Sequence, residues 1–479
     1  MGRKYLTTIP ILLLLSGCMG QAFNPWGLAP TCPGSTWTPL KGNHLVCSKY
    51  CQTLLPPTFE TGELSLAELI DIALQNNPST KQTWAQARAT AAQYGQSLSG
   101  FFPEFELQGN FVRDKGTFIS PLPPAPYYYT EGGPTLTLSY TLFDFGQRTA
   151  ASEAARQMLY YADYSHNQNL QNVIEEVMDD YYDYLYQSAA LRASEANLEN
   201  ALSSLDAAND RFSLGLAALG DVAQARTQYL QAKIQLTTQR QNVEDAFAKL
   251  AIVLGLPANV PFKVRAMPEQ VDANPLLESV ETLVAEAQAK RQDFLAAQAN
   301  VDSQEASLLG AKRAFLPVIT TQLTTTHDWY NGGAEDHNFQ WNVQLGVSIP
   351  LFKGFYYRNG IFNAEANLEA AQARLMQKEL RMVGEVTTAH MGVKTAALNL
   401  TDTVEYLKAA ELEFQIALSS YKAGTKTILD VLSAQSSLAD ARSKKAGSQK
   451  DWFSSLAAIA HATGALCTPP PEDKECETR

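Results

Sequence analysis

The chain has 479 residues, 45% of them hydrophobic and only 18% charged, with a formal net charge of −12. An acidic balance of this size argues against nucleic acid as a partner, because phosphate recognition needs a basic surface. No apolar run reaches the roughly 18 residues of an ordinary membrane-spanning helix.

Arg3 and Lys4 open the chain, and Leu6 to Leu15 is apolar apart from Thr7, Thr8 and Pro10. A basic start, a short apolar stretch and small residues make residues 1–17 a signal peptide. Its end, Leu15-Ser16-Gly17-Cys18, resembles the bacterial lipobox, whose Cys is lipidated and becomes the mature N-terminus. The plainer reading is a signal peptide with an incidental Cys18. In lipobox signals, Met19 in place of Asp implies sorting to the outer membrane. Residues 18–60 then form a lipid-anchored, Cys-containing segment. Cys32, Cys47, Cys51, Cys467 and Cys476 cluster near the two ends, and export favours local disulfides. Five is odd, so one thiol is left over. Cys47-x-x-x-Cys51 is half a metal site that no His or Cys pattern completes.

From residue 61 the chain repeats itself. "FSLGLAALGDVAQARTQYLQAK" at 212–233 parallels "YKAGTKTILDVLSAQSSLADAR" at 421–442, with Gly215 matching Gly424 at an offset of 209 (424 − 215). Asp221 matches Asp430 and Val222 matches Val431 at the same offset. "GFFPEFELQG" at 100–109 echoes "AFLPVITTQL" at 314–323. The repeats are 61–264 and 265–466, each reading helix, hairpin, long helix, Gly-containing break, helix; 467–479 is a tail. The Ala-, Leu- and Gln-rich stretch 64–99 is helical, interrupted only by Pro78 and Gly95. Residues 147–212 and 355–422 are very long helices, with Ile174, Met178, Tyr181 and Leu185 on one stripe and Leu400, Val404, Leu407, Phe414, Leu418 and Tyr421 on another. Some 65 helical residues span about 100 Å, the scale of a coiled coil or helical barrel.

Two hairpins, 101–145 and 315–352, supply four strands. The stretch 339–352 alternates Phe339, Trp341, Val343, Leu345, Val347, Ile349 and Leu351 with polar residues. Residues 101–112 set Phe101, Phe105, Leu107 and Phe111 against Glu104, Glu106, Gln108 and Asn110; 135–143 alternates likewise, and 317–326 more weakly. Loops are expected at 116–134 and 327–338. Such a sheet can pack on helices. Alternation over about ten residues with a long polar face is instead the pattern of an outer-membrane barrel strand. Tyr127, Tyr128, Tyr129, Trp329, Tyr330 and Trp341 lie where an interfacial girdle would. Four strands cannot close a barrel, but three copies give twelve.

"NNPS" at 76–79, "FFP" and "FLP" before each first strand, "LFDFGQR" at 142–148, "LFKG" at 351–354 and the 421–442 segment together resemble the TolC-like outer-membrane efflux proteins, more closely their lipid-anchored branch. The resemblance covers 61–466. It implies a mainly α fold with β: a homotrimer whose twelve-stranded barrel crosses the outer membrane and continues as a long periplasmic α-helical barrel. It also implies a periplasmic adaptor and an inner-membrane pump of the RND or ABC type as partners, with outer membrane lipid around the barrel. The channel would passively conduct drugs or secreted proteins. By the same resemblance Asp430 forms a ring of three carboxylates at the periplasmic entrance, and Asp221, Tyr421 and Lys426 belong to the network that pins it closed. Ser433 stands where some members carry a second Asp. Sequence alone also reads Asp221 and Asp430 as helix N-caps after a Gly-containing turn, and a cap residue can face a pore.

Enzyme signatures and cofactor motifs are absent: the six His residues show no metal spacing, and there is no GxSxG, Walker A or dinucleotide fingerprint. Glu175-Glu176 and Asp179-Asp180 read as a solvated or tunnel-lining acidic face, and Lys444-Lys445 as an exposed patch. The alternative to a channel is a non-conducting periplasmic coiled-coil lipoprotein.

Overall fold

The structure, a computed structural model, describes residues 25–30, 32–37, 62–118, 125–266, 278–331 and 337–466. Cys18, Cys47, Cys51, Cys467 and Cys476 lie outside them; Cys32 is disulfide-bonded. The chain runs β1 (Glu63–Leu64), α1 (Leu66–Asn76), α2 (Pro78–Leu98), β2 (Glu104–Phe118), β3 (Ala125–Phe143), α3 (Gln147–Ser213) and α4 (Leu219–Val253). The second half follows the same order: β4 (Lys263–Val264), α5 (Val280–Lys290), α6 (Gln292–Arg313), β5 (Val318–Asn331), β6 (His337–Ser348), α7 (Tyr356–Ala423) and α8 (Ile428–Ala462). The duplication read from the sequence is thus a duplication of structure.

Two compact units result. The first takes in 88–161 and 297–375 with the described residues before Pro30. It holds one antiparallel sheet of order β2-β3-β5-β6. Register carries one apolar face across all four strands: Leu107 pairs with Leu136, Leu138 with Leu323, and Leu323 with Val343. The other face is as continuous, with Gln108 paired to Thr135, Thr135 to Thr326 and Thr326 to Gln340. The apolar face lies bare: Leu107 is 72% exposed, Trp341 69% and Leu345 68%. Among the described residues no helix is long and apolar enough to cross a membrane.

The strands differ from expectation at their ends. β2 and β3 have 15 and 19 residues, so much of the expected 116–134 loop is paired strand, with Gly116 opposite Tyr127. Likewise His327 to Asn331 is strand. Turn-forming residues there yield to the ladder, because continued pairing satisfies each backbone group. Phe101 belongs to a 3-10 turn, Ser99–Phe101. β6 stops at Ser348, ahead of Pro350, which has no N–H to donate. The corners into the long helices are left-handed, at Phe145 (φ 53) and Gly146 (φ 83) and at Gly354 (φ 56) and Phe355 (φ 63). Asp144 braces the first corner, accepting from the Gly146 N–H and pairing with Arg148 at 2.9 Å.

The second unit takes in 30–87, 162–296 and 376–479. One core packs Leu69, Ile72, Val177, Tyr181, Leu250 and Leu254; another packs Ala208, Phe414, Tyr421, Val431 and Leu438. The stripes read on the long helices are therefore core faces. The helix expected at 64–99 is two helices broken at Asn77, since the residue before Pro78 is pushed out of helical geometry. Pro30 and Trp37 are clamped onto the helices. Asn167 exchanges two hydrogen bonds with the Trp37 backbone, at 2.7 and 2.6 Å, and the Trp84 indole donates to the Pro30 carbonyl at 2.8 Å.

Candidate channel entrance

Each long helix ends in the same turn. The Leu216 N–H returns to the Arg211 carbonyl at 2.8 Å, and the Thr425 N–H to the Ser420 carbonyl at 2.9 Å. Gly215 (φ 73) and Gly424 (φ 85) occupy the left-handed position. This is the Schellman geometry, in which glycine escapes the Cβ penalty. A new helix starts four residues after each glycine, and there the two sequence-predicted aspartates stand.

Neither aspartate is the N-cap expected of it: Thr427 and Ala218 hold those positions because their backbone is extended while the aspartates, three residues on, are already helical. Asp430 is exposed and closes a reciprocal cap from inside the first turn. Its Oδ2 accepts from the Thr427 N–H at 2.8 Å and hydroxyl at 2.7 Å, while the Asp430 N–H donates to Thr427 Oγ1. The Thr427 hydroxyl, then its N–H, hold the carboxyl below its usual range, with a smaller pull from Lys426. In the first repeat Ala218 replaces Thr427. Asp221 still accepts from the Ala218 N–H, at 3.3 Å, but no hydroxyl completes the box.

Tyr421 is buried, and its hydroxyl has no hydrogen-bond partner. Burial first, then the Asp221 carboxylate, push this phenol above its usual range, with Arg211 opposing. Within one protomer, among the described residues, no hydrogen bond or ion pair joins Asp221, Tyr421 and Lys426. Arg211, not singled out from the sequence, makes the closest contacts. Its Nη1 donates to the Tyr421 carbonyl at 2.7 Å, its Nη2 to the Leu216 carbonyl at 3.2 Å, and its guanidinium lies 4.9 Å from the Tyr421 ring centre. The available signal was a basic residue in the last turn of a long helix, where orphan carbonyls attract cations. Beside the turn, Gln224, Thr227, Leu432 and Ser433 line an open groove between α4 and α8, and the exposed Leu429 borders it.

A second polar cluster was also missed. Arg291, between α5 and α6, is buried and forks onto Asp293 at 3.0 and 2.9 Å, reaching Glu385 of α7 at 2.6 Å. Close by, His461 Nδ1 lies 3.2 Å from Glu175 and its Nε2 3.0 Å from Asn172 Oδ1. Burial, then Asp179 and Glu385, push Glu175 up to about 7; burial, then Arg291, lower His461. Glu175 is thus a joint residue, not part of a freely solvated acidic face.

Residues 69–256 and 283–465 match the sequence profile of the outer membrane efflux protein family. The chain belongs to that family, which is one of outer-membrane efflux channels and not of enzymes. It is 27% identical over 404 residues to protein CyaE of Bordetella pertussis, covering 81% of each chain. It is 26% identical over 421 residues to the outer membrane efflux protein BepC of Brucella suis, covering 86% of this chain and 89% of that one. The fold is that of the outer-membrane channel OprN, with a TM-score of 0.76 at 20% identity over 84% of this chain and 90% of that one.

Proposed function

We propose that three copies of this chain close one twelve-stranded barrel in the outer membrane and continue as a helical tunnel in the periplasm. The tunnel is a passive exit duct for substrates delivered by an inner-membrane pump through a periplasmic adaptor. The carrying observation is the sheet: one bare apolar face, one polar face, and β2 and β6 as its edges. A lipid-facing sheet needs every edge paired, and pairing β2 of one copy with β6 of the next removes both edges. Helix α7 supports the assembly with unpartnered apolar residues, among them Met376, Leu380, Met391, Leu398 and Leu412, which a neighbouring copy would cover.

In this reading the turns at Gly215 and Gly424 form the periplasmic entrance. Asp430 supplies a three-carboxylate ring, its second carboxylate oxygen remaining outside the cap. Asp221, Tyr421 and Lys426 act between protomers to hold the closed state, and the exposed Leu214, Leu216, Leu219 and Leu429 meet the adaptor. Cys18 carries the lipid anchor. Cargo is drugs, secreted protein, or both.

The test is conductance of the purified protein in a planar bilayer, with its mass measured in the same detergent. Long-lived channels from a trimer are expected. A monomer that stays silent and water-soluble after lipid removal would support a non-conducting coiled-coil lipoprotein instead.

A further inference from the structure

Several cations of the second unit are matched. Lys444 reaches Asp440 at 2.8 Å, Lys450 reaches Asp183 at 2.6 Å and Lys408 reaches Glu405 at 2.6 Å. Three others are brought together without an acid. Arg192 of α3 and Arg442 and Lys445 of α8 line a single cavity of about 580 Å³, and no carboxylate lines it with them. The adjacent lysines therefore part company: Lys444 is paired, and Lys445 turns into the cavity. Arg442 is half-buried, with one neutral partner, Asn197 Oδ1 at 3.2 Å; Glu411 acts on it only through space. Arg192 and Lys445 have no hydrogen bond or ion pair among the described residues.

The concavity has a local cause. Ala189 and Ala193 are one helical turn apart on α3, and Ala446 faces the same cavity from α8. Methyl side chains leave room that the three long cations surround. Ser188 and Gln449 add neutral donors to the lining. Three like charges sharing a partly enclosed space repel one another. On neighbouring turns of α8 cations meet acids instead, Lys444 with Asp440 and Lys450 with Asp183. Guanidinium forks and an ammonium around a small polar cavity are the donors that hold phosphate and carboxylate groups.

We propose that this cavity binds a small multivalent oxyanion, of the phosphate or polycarboxylate class. Arg442 supplies the fixed fork, Arg192 and Lys445 close over the ligand, and Ser188 and Gln449 donate the neutral hydrogen bonds. The site is independent of the entrance and of the sheet.

The test is calorimetric titration of the full-length protein in detergent with pyrophosphate and, separately, with citrate, at ionic strength held constant with sodium chloride. Saturable binding of one anion per protomer is expected. Arg192→Gln and Lys445→Gln each weaken it about tenfold, the effect of losing one charge-assisted hydrogen bond, and the double variant abolishes it. Both side chains lack structural contacts, so these variants keep the parent's melting curve, which is checked alongside. Lys408→Gln, in a matched pair elsewhere, leaves binding unchanged. Tighter pyrophosphate binding assigns the phosphate class, and tighter citrate binding the carboxylate class. Heats no different from the chloride reference for both anions, or undiminished binding in the double variant, would overturn the site.

Discussion

Arg291 does in the second repeat what Asn77 does in the first. The Asn77 amide donates to the Val253 carbonyl at 2.8 Å, and the Arg291 guanidinium to the Ala462 carbonyl at 3.4 Å. Each closes the last turn of its repeat's final helix against the break between two short helices. Gly255 (φ 73) and Gly464 (φ 75) bring the backbones together at these joints. A Cβ on Gly255 would stand 2.7 Å from the Asn76 carbonyl, and one on Gly464 3.0 Å from the Lys290 carbonyl carbon. One joint is neutral; the other is an ion cluster built on the buried Arg291.

The difference predicts unequal responses to mutation. Arg291→Ala leaves Asp293 with only Lys378, at 3.4 Å, and Glu385 without its cation, and loses about 3 kcal/mol. Replacing the cluster by the first repeat's solution, Arg291→Asn with Asp293→Ser and Glu385→Gln, costs less than that single change. Denaturant melts of the three proteins check the order. A triple variant less stable than Arg291→Ala would show that the charges hold the joint.

The Glu175–His461 pair makes stability depend on pH. A carboxyl whose folded pKa is raised to about 7 contributes stability that is full below its unfolded value and is lost as pH rises through about 7. Glu175→Gln removes that loss. The variant therefore melts higher than the parent at about pH 8, with little difference at about pH 5. His461, lowered in the fold, works in the opposite sense, losing stability as pH falls below its ordinary value. A parallel pair of melting-temperature profiles would refute the assignment to Glu175.

At the proposed entrance, Tyr421→Phe and Arg211→Ala separate two accounts. The Tyr421 hydroxyl is buried without a partner in one protomer, so removing it alone costs no hydrogen bond there and is near neutral for protomer stability. If the hydroxyl pins the closed state between protomers, Tyr421→Phe still raises single-channel conductance. Arg211→Ala removes two carbonyl contacts and a ring contact, and loosens the turn as well. Arg211→Lys restores the charge without the fork and rescues only in part. Conductance and melting temperature, read together, distinguish the outcomes.

If Asp430 lines the entrance, Asp430→Ala weakens block by multivalent cations from the periplasmic side, and it also removes the reciprocal half of the capping box. Thr427→Ala gives the capping cost while keeping the carboxylate. Block equally weakened by both variants would mean that Asp430 acts only through the turn.

Cys18→Ala abolishes incorporation of labelled fatty acid. Persisting label would show that the lipid is carried elsewhere.

The sequence by itself determined the architecture of each repeat. Period-two alternation survives into a sheet with one apolar and one polar face, because a strand's side chains alternate whatever it pairs with. The long helices end within a residue of where Gly215 and Gly424 placed their ends, because a left-handed C-cap is a local event. A capped helix start after each turn was legible for the same reason, but Thr427 and Ala218, and not the aspartates, take the N-cap position. The tertiary structure alone decided which charges meet. Arg291 finds Glu385, Glu175 finds His461, and Arg192 shares a cavity with Lys445 across separations that no local pattern encodes. The acidic run Glu175 to Asp180 looked uniform along the chain. Packing of α8 against α3 divides it, because burial and the approach of a second helix, and not residue type, set the electrostatics of each carboxylate.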